Sequence, residues 1–185
     1  MRAVFCFVPV FLLFASLATA GESLTVAVAA NFAIPLEEIG LEFEKKSGTS
    51  LRKTVSSTGK LFTQIKNGAP YDLFFAADSL RPELLFQEGL GSKPVVYARG
   101  QTVLWTADKA LCEKGSWQEA VTAQEVGKIG IANPETAPYG EAAENAIQQA
   151  GLWGDVFRKL VFAGNVGQSA QYASMESVSM SFTAG

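Results

Sequence analysis

The sequence predicts an α/β fold arranged as two similar halves, and three observations carry that prediction. Strand-like apolar runs alternate with helix-like segments from residue 23 onward. Strands such as that in "SLTVAVAANFAIPLEEIGLEF" stop at a polar residue where a helix begins. Two such strand-to-helix junctions fall in each half, although no fixed-period repeat relates the halves. A content of 48% hydrophobic and 18% charged residues suits a chain that buries a core.

In chain order, "MRAVFCFVPVFLLFASLATA" combines one positive residue, an apolar stretch and the small-x-small pattern Ala18-Thr19-Ala20. It reads as a cleaved signal peptide over 1–20, since the apolar part is short for a membrane span and is broken by Pro9. Export to an oxidising compartment follows, yet beyond this segment only Cys112 remains, and one cysteine forms no internal disulfide.

"LTVAVAA" is β-rich, and Leu36, Ile39 and Phe43 mark one face of a helix that Gly48 can end. "LRKTV" predicts a second strand. "SST" supplies a cap, and Leu61, Phe62 and Ile65 face a core until Gly68 and Pro70 stop the helix. The third strand, Tyr71 to Ala77, is nearly all apolar, as for a strand covered on both faces. "VVYA" reads as a further strand after the turn-rich "EGLGSKP", and Ala98 to Gln101 is the candidate hinge, giving lobes over 21–99 and 100–185. In the second lobe "KIGIANPETAPYGEAAENAIQQAGLWG" and "KLVFAGNVGQSAQYAS" each give a strand, a polar loop and a helix start.

The first N–H groups of a helix lack intrahelical partners, and its dipole adds about half a positive charge there. Four such ends are candidates to meet in a cleft around a small anion: Asn31-Phe32, Ser57-Thr58-Gly59, Tyr139-Gly140 and Asn165-Val166. Gly59 and Gly140 would let an oxyanion approach the backbone, while Asn31, Ser57, Thr58 and Tyr139 add side-chain donors. The competing reading is ordinary N-capping by Ser, Thr and Asn.

Other chemistries are weighed by what is missing. There is no histidine, which removes Ser-His and Cys-His pairs and most transition-metal sites. Asp72 and Asp78 flank the third strand, where capping is the simpler role. Trp105, Trp117 and Trp153 read as core or lobe-interface residues. A net charge of −3 offers no basic footprint for nucleic acid.

"VAVAANF", "SSTGKLFTQIKNGAPYDLFFAAD" and "IANPETAPYGEAA" together resemble the periplasmic molybdate-binding proteins of ABC transporters. The resemblance implies a two-lobed periplasmic binding fold with a ligand cleft between the lobes. It implies a monomer that takes molybdate or tungstate, hands it to a membrane permease, and carries out no catalysis. No cofactor and no bare metal cation are implied, molybdenum being held as its oxyanion. By motif, Asn31, Ser57 and Thr58 are the ligand residues of lobe one, with Tyr139 and Val166 as backbone donors of lobe two. The tyrosine that some members carry on a later strand has no counterpart in "SVSMSFTAG". Members of that family continue beyond the equivalent of Gly185 and cross back into lobe one, so the expectation is that the C-terminal part of lobe one is missing. The alternatives are a binding protein for another oxyanion such as sulfate, a hydrolase or transferase using Asp72 or Asp78, and a truncated, non-functional fragment.

Overall fold

The computed structural model describes residues 22–185, so the expected signal peptide lies outside the described residues. Strand β1 (Ser23–Ala29) passes through a 3-10 turn at Ala30–Phe32 into helix α1 (Ala33–Ser47). Strand β2 (Ser50–Ser56) leads into α2 (Thr58–Lys66), and β3 (Leu73–Phe75) is followed by α3 (Leu80–Gln87). These strands form an all-parallel sheet in the order β2-β1-β3.

The second sheet has four strands. β4 (Thr102–Trp105) precedes two short helices, α4 (Lys109–Cys112) and α5 (Trp117–Thr122). β5 (Ile129–Ala132) precedes α6 (Pro138–Gln149) and α7 (Trp153–Val156), and β6 (Leu160–Ala163) precedes α8 (Val166–Ser174). The last strand, β7 (Met180–Ala184), inserts between β4 and β5 to give the order β4-β7-β5-β6. It runs antiparallel to β4 and parallel to β5.

Register decides what the two sheets present to each other. Ala29 pairs with Ser56, so the residues that leave β1 and β2 emerge level with one another. In the second sheet Ala132 pairs with Ala163, and the exits of β5 and β6 are level in the same way. The carboxyl ends of parallel strands in α/β sheets are where ligands bind.

The larger core lies around the second sheet, where Val121, Ile129, Ile131, Ile147, Val156 and Met180 are fully buried. In the first sheet Val26, Val28 and Leu36 form a smaller core, backed by Leu24, Phe32, Leu51 and Phe75.

Several sequence expectations need correction. "VVYA" forms no strand. Tyr97 instead packs its ring against Phe32 and Phe75, with centroids 4.8 and 5.2 Å away, and donates its hydroxyl to the Ala76 carbonyl at 2.8 Å. β3 is short and lies at a sheet edge, so Leu73 is exposed and not covered on both faces. Helix α1 buries only Leu36, leaving Ile39 and Phe43 exposed. It rests on β2 at Gly40, where a Cβ would meet the Leu51 side chain at 3.2 Å, and this close, narrow contact leaves Ile39 on the flank. Trp105, on strand β4, is also exposed.

Candidate functional site

Asn31, Ser57, Thr58, Tyr139 and Val166, all expected from the sequence, line one pocket between the ends of the two sheets. Asn31 follows β1 and Ser57 follows β2, the two exits that the β1–β2 register sets level. Tyr139 is the second residue of α6, which follows β5, and Val166 is the first of α8, which follows β6. The lining also includes Ser56, Ala77, Ala137 and Asn165. Ser56, Ala77 and Ala137 were not singled out in the sequence, because a small residue beside a polar one carries no signal of its own.

The pocket is neutral, with no charged side chain in its lining. Its polarity comes from hydroxyls, amides and helix ends. Pro138 occupies the first position of α6 and has no N–H, so the Tyr139 amide is the first donor of that helix. Val166 holds the same leading place in α8.

Capping and ligand binding can be separated side chain by side chain. Asn165 is a cap: its Oδ1 accepts from the Gln168 N–H at 2.9 Å. Ser57 holds the N-cap position of α2, yet its hydroxyl makes no capping bond. That hydroxyl is buried without any partner, and Ser57 is 3% exposed. Asn31 lies inside the 3-10 turn, so it is not the N-cap of α1, and its Oδ1 is likewise buried and unpartnered. Thr58 is fully buried and accepts from the Ala77 N–H at 3.0 Å, which leaves its own O–H as a donor. A buried polar atom without a partner costs about 1–3 kcal/mol, so two of them facing one pocket ask for an occupant.

Tyr139 reaches from the second sheet to the first. Burial pushes its hydroxyl above the ordinary value of 10.0, and a hydrogen bond from the Asn31 side chain opposes that rise. Tyr97, behind the pocket, is raised by burial and by the nearby Tyr139 hydroxyl.

The two glycines play a different part from the one expected. Gly140 does not open a path for a ligand: a Cβ there would overlap the Ala132 carbonyl, so this glycine seats α6 on the end of its own strand. The Gly59 N–H is already spent on the Thr136 carbonyl, at 2.8 Å, across from the other sheet. Asp72 and Asp78 are likewise committed. Asp72 accepts from the Thr25 N–H at 2.7 Å, and Asp78 accepts from the Arg81 N–H at 2.8 Å and its guanidinium at 2.6 Å.

The pocket is small and partly open to solvent, so any occupant is compact. A wider apolar groove on the outer side of α1, between Ile39 and Phe43, brings together no set of donors and is not the site. Among the described residues no group of three or more His, Cys, Asp or Glu side chains could hold a metal ion.

The family model for bacterial extracellular solute-binding proteins matches residues 24–185. A molybdate-binding protein of Azotobacter vinelandii is 38% identical over 162 residues, which cover 86% of this chain and 63% of that protein. Its counterpart in Rhodobacter capsulatus is 36% identical over 170 residues, covering 90% of this chain and 66% of that protein. The chain thus spans just under two thirds of the length of these relatives. Among solved structures, the periplasmic molybdate-binding protein of Azotobacter vinelandii superposes with a TM-score of 0.82 at 33% identity, over 87% of this chain and 71% of that one.

Proposed function

Because the chain belongs to the bacterial extracellular solute-binding proteins, we propose that it captures molybdate or tungstate in the periplasm for an ABC importer. Its lobes would span 21–99 and 100–185, with the cleft between them. A signal peptide over 1–20 would direct export, and a membrane permease would receive the anion. Among the described residues no helix is long and apolar enough to cross a membrane.

The observation that carries this reading is the pair of unpartnered buried atoms, the Ser57 hydroxyl and the Asn31 amide oxygen, in a pocket without charge. Molybdate and tungstate are fully deprotonated dianions near neutral pH, so they accept hydrogen bonds and need no acceptor from the protein. Ser57 and Thr58 donate from hydroxyls, and Tyr139 and Val166 from helix-terminal amides. The Asn31 amide oxygen is buried and faces no donor. Turning the amide over lets the oxygen accept from the Tyr139 hydroxyl and offers the nitrogen to the anion. Each hydrogen bond to a charged group is worth about 1.5–3 kcal/mol, enough for neutral donors to hold a dianion.

Sulfate satisfies the same donor-only logic and is the second reading, separated from the first by size alone. Calorimetric titration with molybdate, tungstate, sulfate and phosphate decides between them. Molybdate and tungstate should bind one to one and more tightly than sulfate, with phosphate weakest because it keeps a proton for which this pocket offers no carboxylate. Sulfate binding as tightly as molybdate would move the assignment to sulfate.

A further inference from the structure

We propose that the carbonyls of Glu135 and Thr136 form the catch that holds the cleft shut, and that Gly59 governs how long the anion stays without touching it. The inference rests on the anion-capture reading above and concerns residues outside the pocket lining.

Two donors from the side of the first sheet grip neighbouring carbonyls in the loop before α6. The Gly59 N–H donates to Thr136 at 2.8 Å, and the Arg81 guanidinium reaches the Glu135 carbonyl at 3.4 Å. Arg81 is itself aimed by Asp78, which accepts from the same guanidinium at 2.6 Å. The loop they grip is stiff. Asn133 accepts from the Glu135 N–H through its side chain at 2.9 Å, and through its carbonyl from Thr136 at 3.2 Å and Ala137 at 2.9 Å. Ala137 already lines the pocket and Tyr139 follows two residues later, so a hold on Glu135 and Thr136 places the second wall over the first.

Only glycine fits at position 59. A Cβ would stand 2.9 Å from the Thr136 oxygen and 3.0 Å from its Cα. Both are backbone atoms and cannot swing aside, so any side chain there holds the walls apart. The contact has no side-chain support from Thr136, whose hydroxyl is buried without a partner.

The test is Gly59→Ala, with Gly154→Ala, a position with nothing near its Cβ, as the control. Molybdate should associate with Gly59→Ala at close to the wild-type rate and dissociate at least about tenfold faster, a loss of about 1.4 kcal/mol in affinity. Small-angle scattering should show the ligand-free variant more open than wild type, with less compaction on adding molybdate. Alanine suits a helix better than glycine, so the ligand-free melting temperature should stay close to wild type. Arg81→Leu should shift dissociation in the same direction by a smaller factor.

An unchanged dissociation rate in Gly59→Ala would overturn the catch. So would a lowered ligand-free melting temperature with an undiminished molybdate shift, since that marks a packing role only. If the wild type binds none of the four anions, the capture reading falls first, and scattering then decides the catch: equal radii for the ligand-free wild type and Gly59→Ala overturn it.

Discussion

Ser57 and Asn165 each stand immediately before a helix, and only Asn165 spends its side chain on capping. The residue type announced both junctions, but the direction of a hydroxyl or an amide depends on a rotamer that tertiary contacts choose. Ser57→Ala separates the two roles. Loss of a cap costs about 1 kcal/mol, whereas removal of a buried, unpartnered hydroxyl leaves ligand-free stability unchanged or higher. We expect the second outcome in melting curves, together with an affinity for molybdate lowered at least about tenfold in calorimetry. Asn31→Asp places a carboxylate against the dianion while keeping the shape of the side chain. The protein should stay folded and lose at least about 2 kcal/mol of binding, roughly thirtyfold. The pH response follows from the two tyrosines. Burial raises both above 10.0, so the stability they contribute is fully present below that value and is lost as pH rises through their higher folded values. With no histidine and no charged side chain in the pocket, molybdate affinity should be flat from about pH 6 to 9. It should fall above about pH 10, when ionised Tyr139 repels the anion.

At the scale of elements, the βα junctions were legible because each combines an apolar run, a polar stop and a helical period within a few residues. The strand order was not. β7 pairs with β4 and β5, both far away in sequence, and no local pattern announces that it enters the middle of its sheet. "VVYA" has the composition of a strand, but Tyr97 is fixed by its ring and hydroxyl and not by backbone pairing. Gly140 was legible as a functional position for the wrong reason: its missing Cβ faces the Ala132 carbonyl and not a ligand. Gly140→Ala should therefore push α6 off the end of β5 and cost about 1–3 kcal/mol in denaturant unfolding, the range for overpacking. Because Tyr139 rides on the same turn, molybdate affinity should fall with it. Loss of stability without loss of affinity would mean that Tyr139 is positioned by something other than the seat of α6.

On the scale of the whole molecule, the site exists only where the two sheets meet. Asn31, Ser57 and Thr58 come from one side and Tyr139 and Val166 from the other, so no single βα unit holds a complete set of donors. The two-lobed plan was legible from the pairing of junctions and from the resemblance their motifs carry. The contact that brings the lobes together, Gly59 on Thr136, was not, since it joins residues far apart in sequence through backbone atoms alone. A ligand that completes such a site binds the folded state and not the unfolded one. At about 100 times its dissociation constant it adds roughly 2.7 kcal/mol, or some 5–10 °C in melting temperature for a chain of this size. The most direct test of the account is therefore one paired melting experiment, wild type and Ser57→Ala, each with and without saturating molybdate. The account predicts a wild-type shift of about 5–10 °C, and a clearly smaller shift in a variant whose ligand-free melting temperature is no lower. A variant that melts lower without molybdate yet shifts as far as wild type with it would make Ser57 a cap, and would contradict the claim that the unpartnered groups of the pocket are there for the anion.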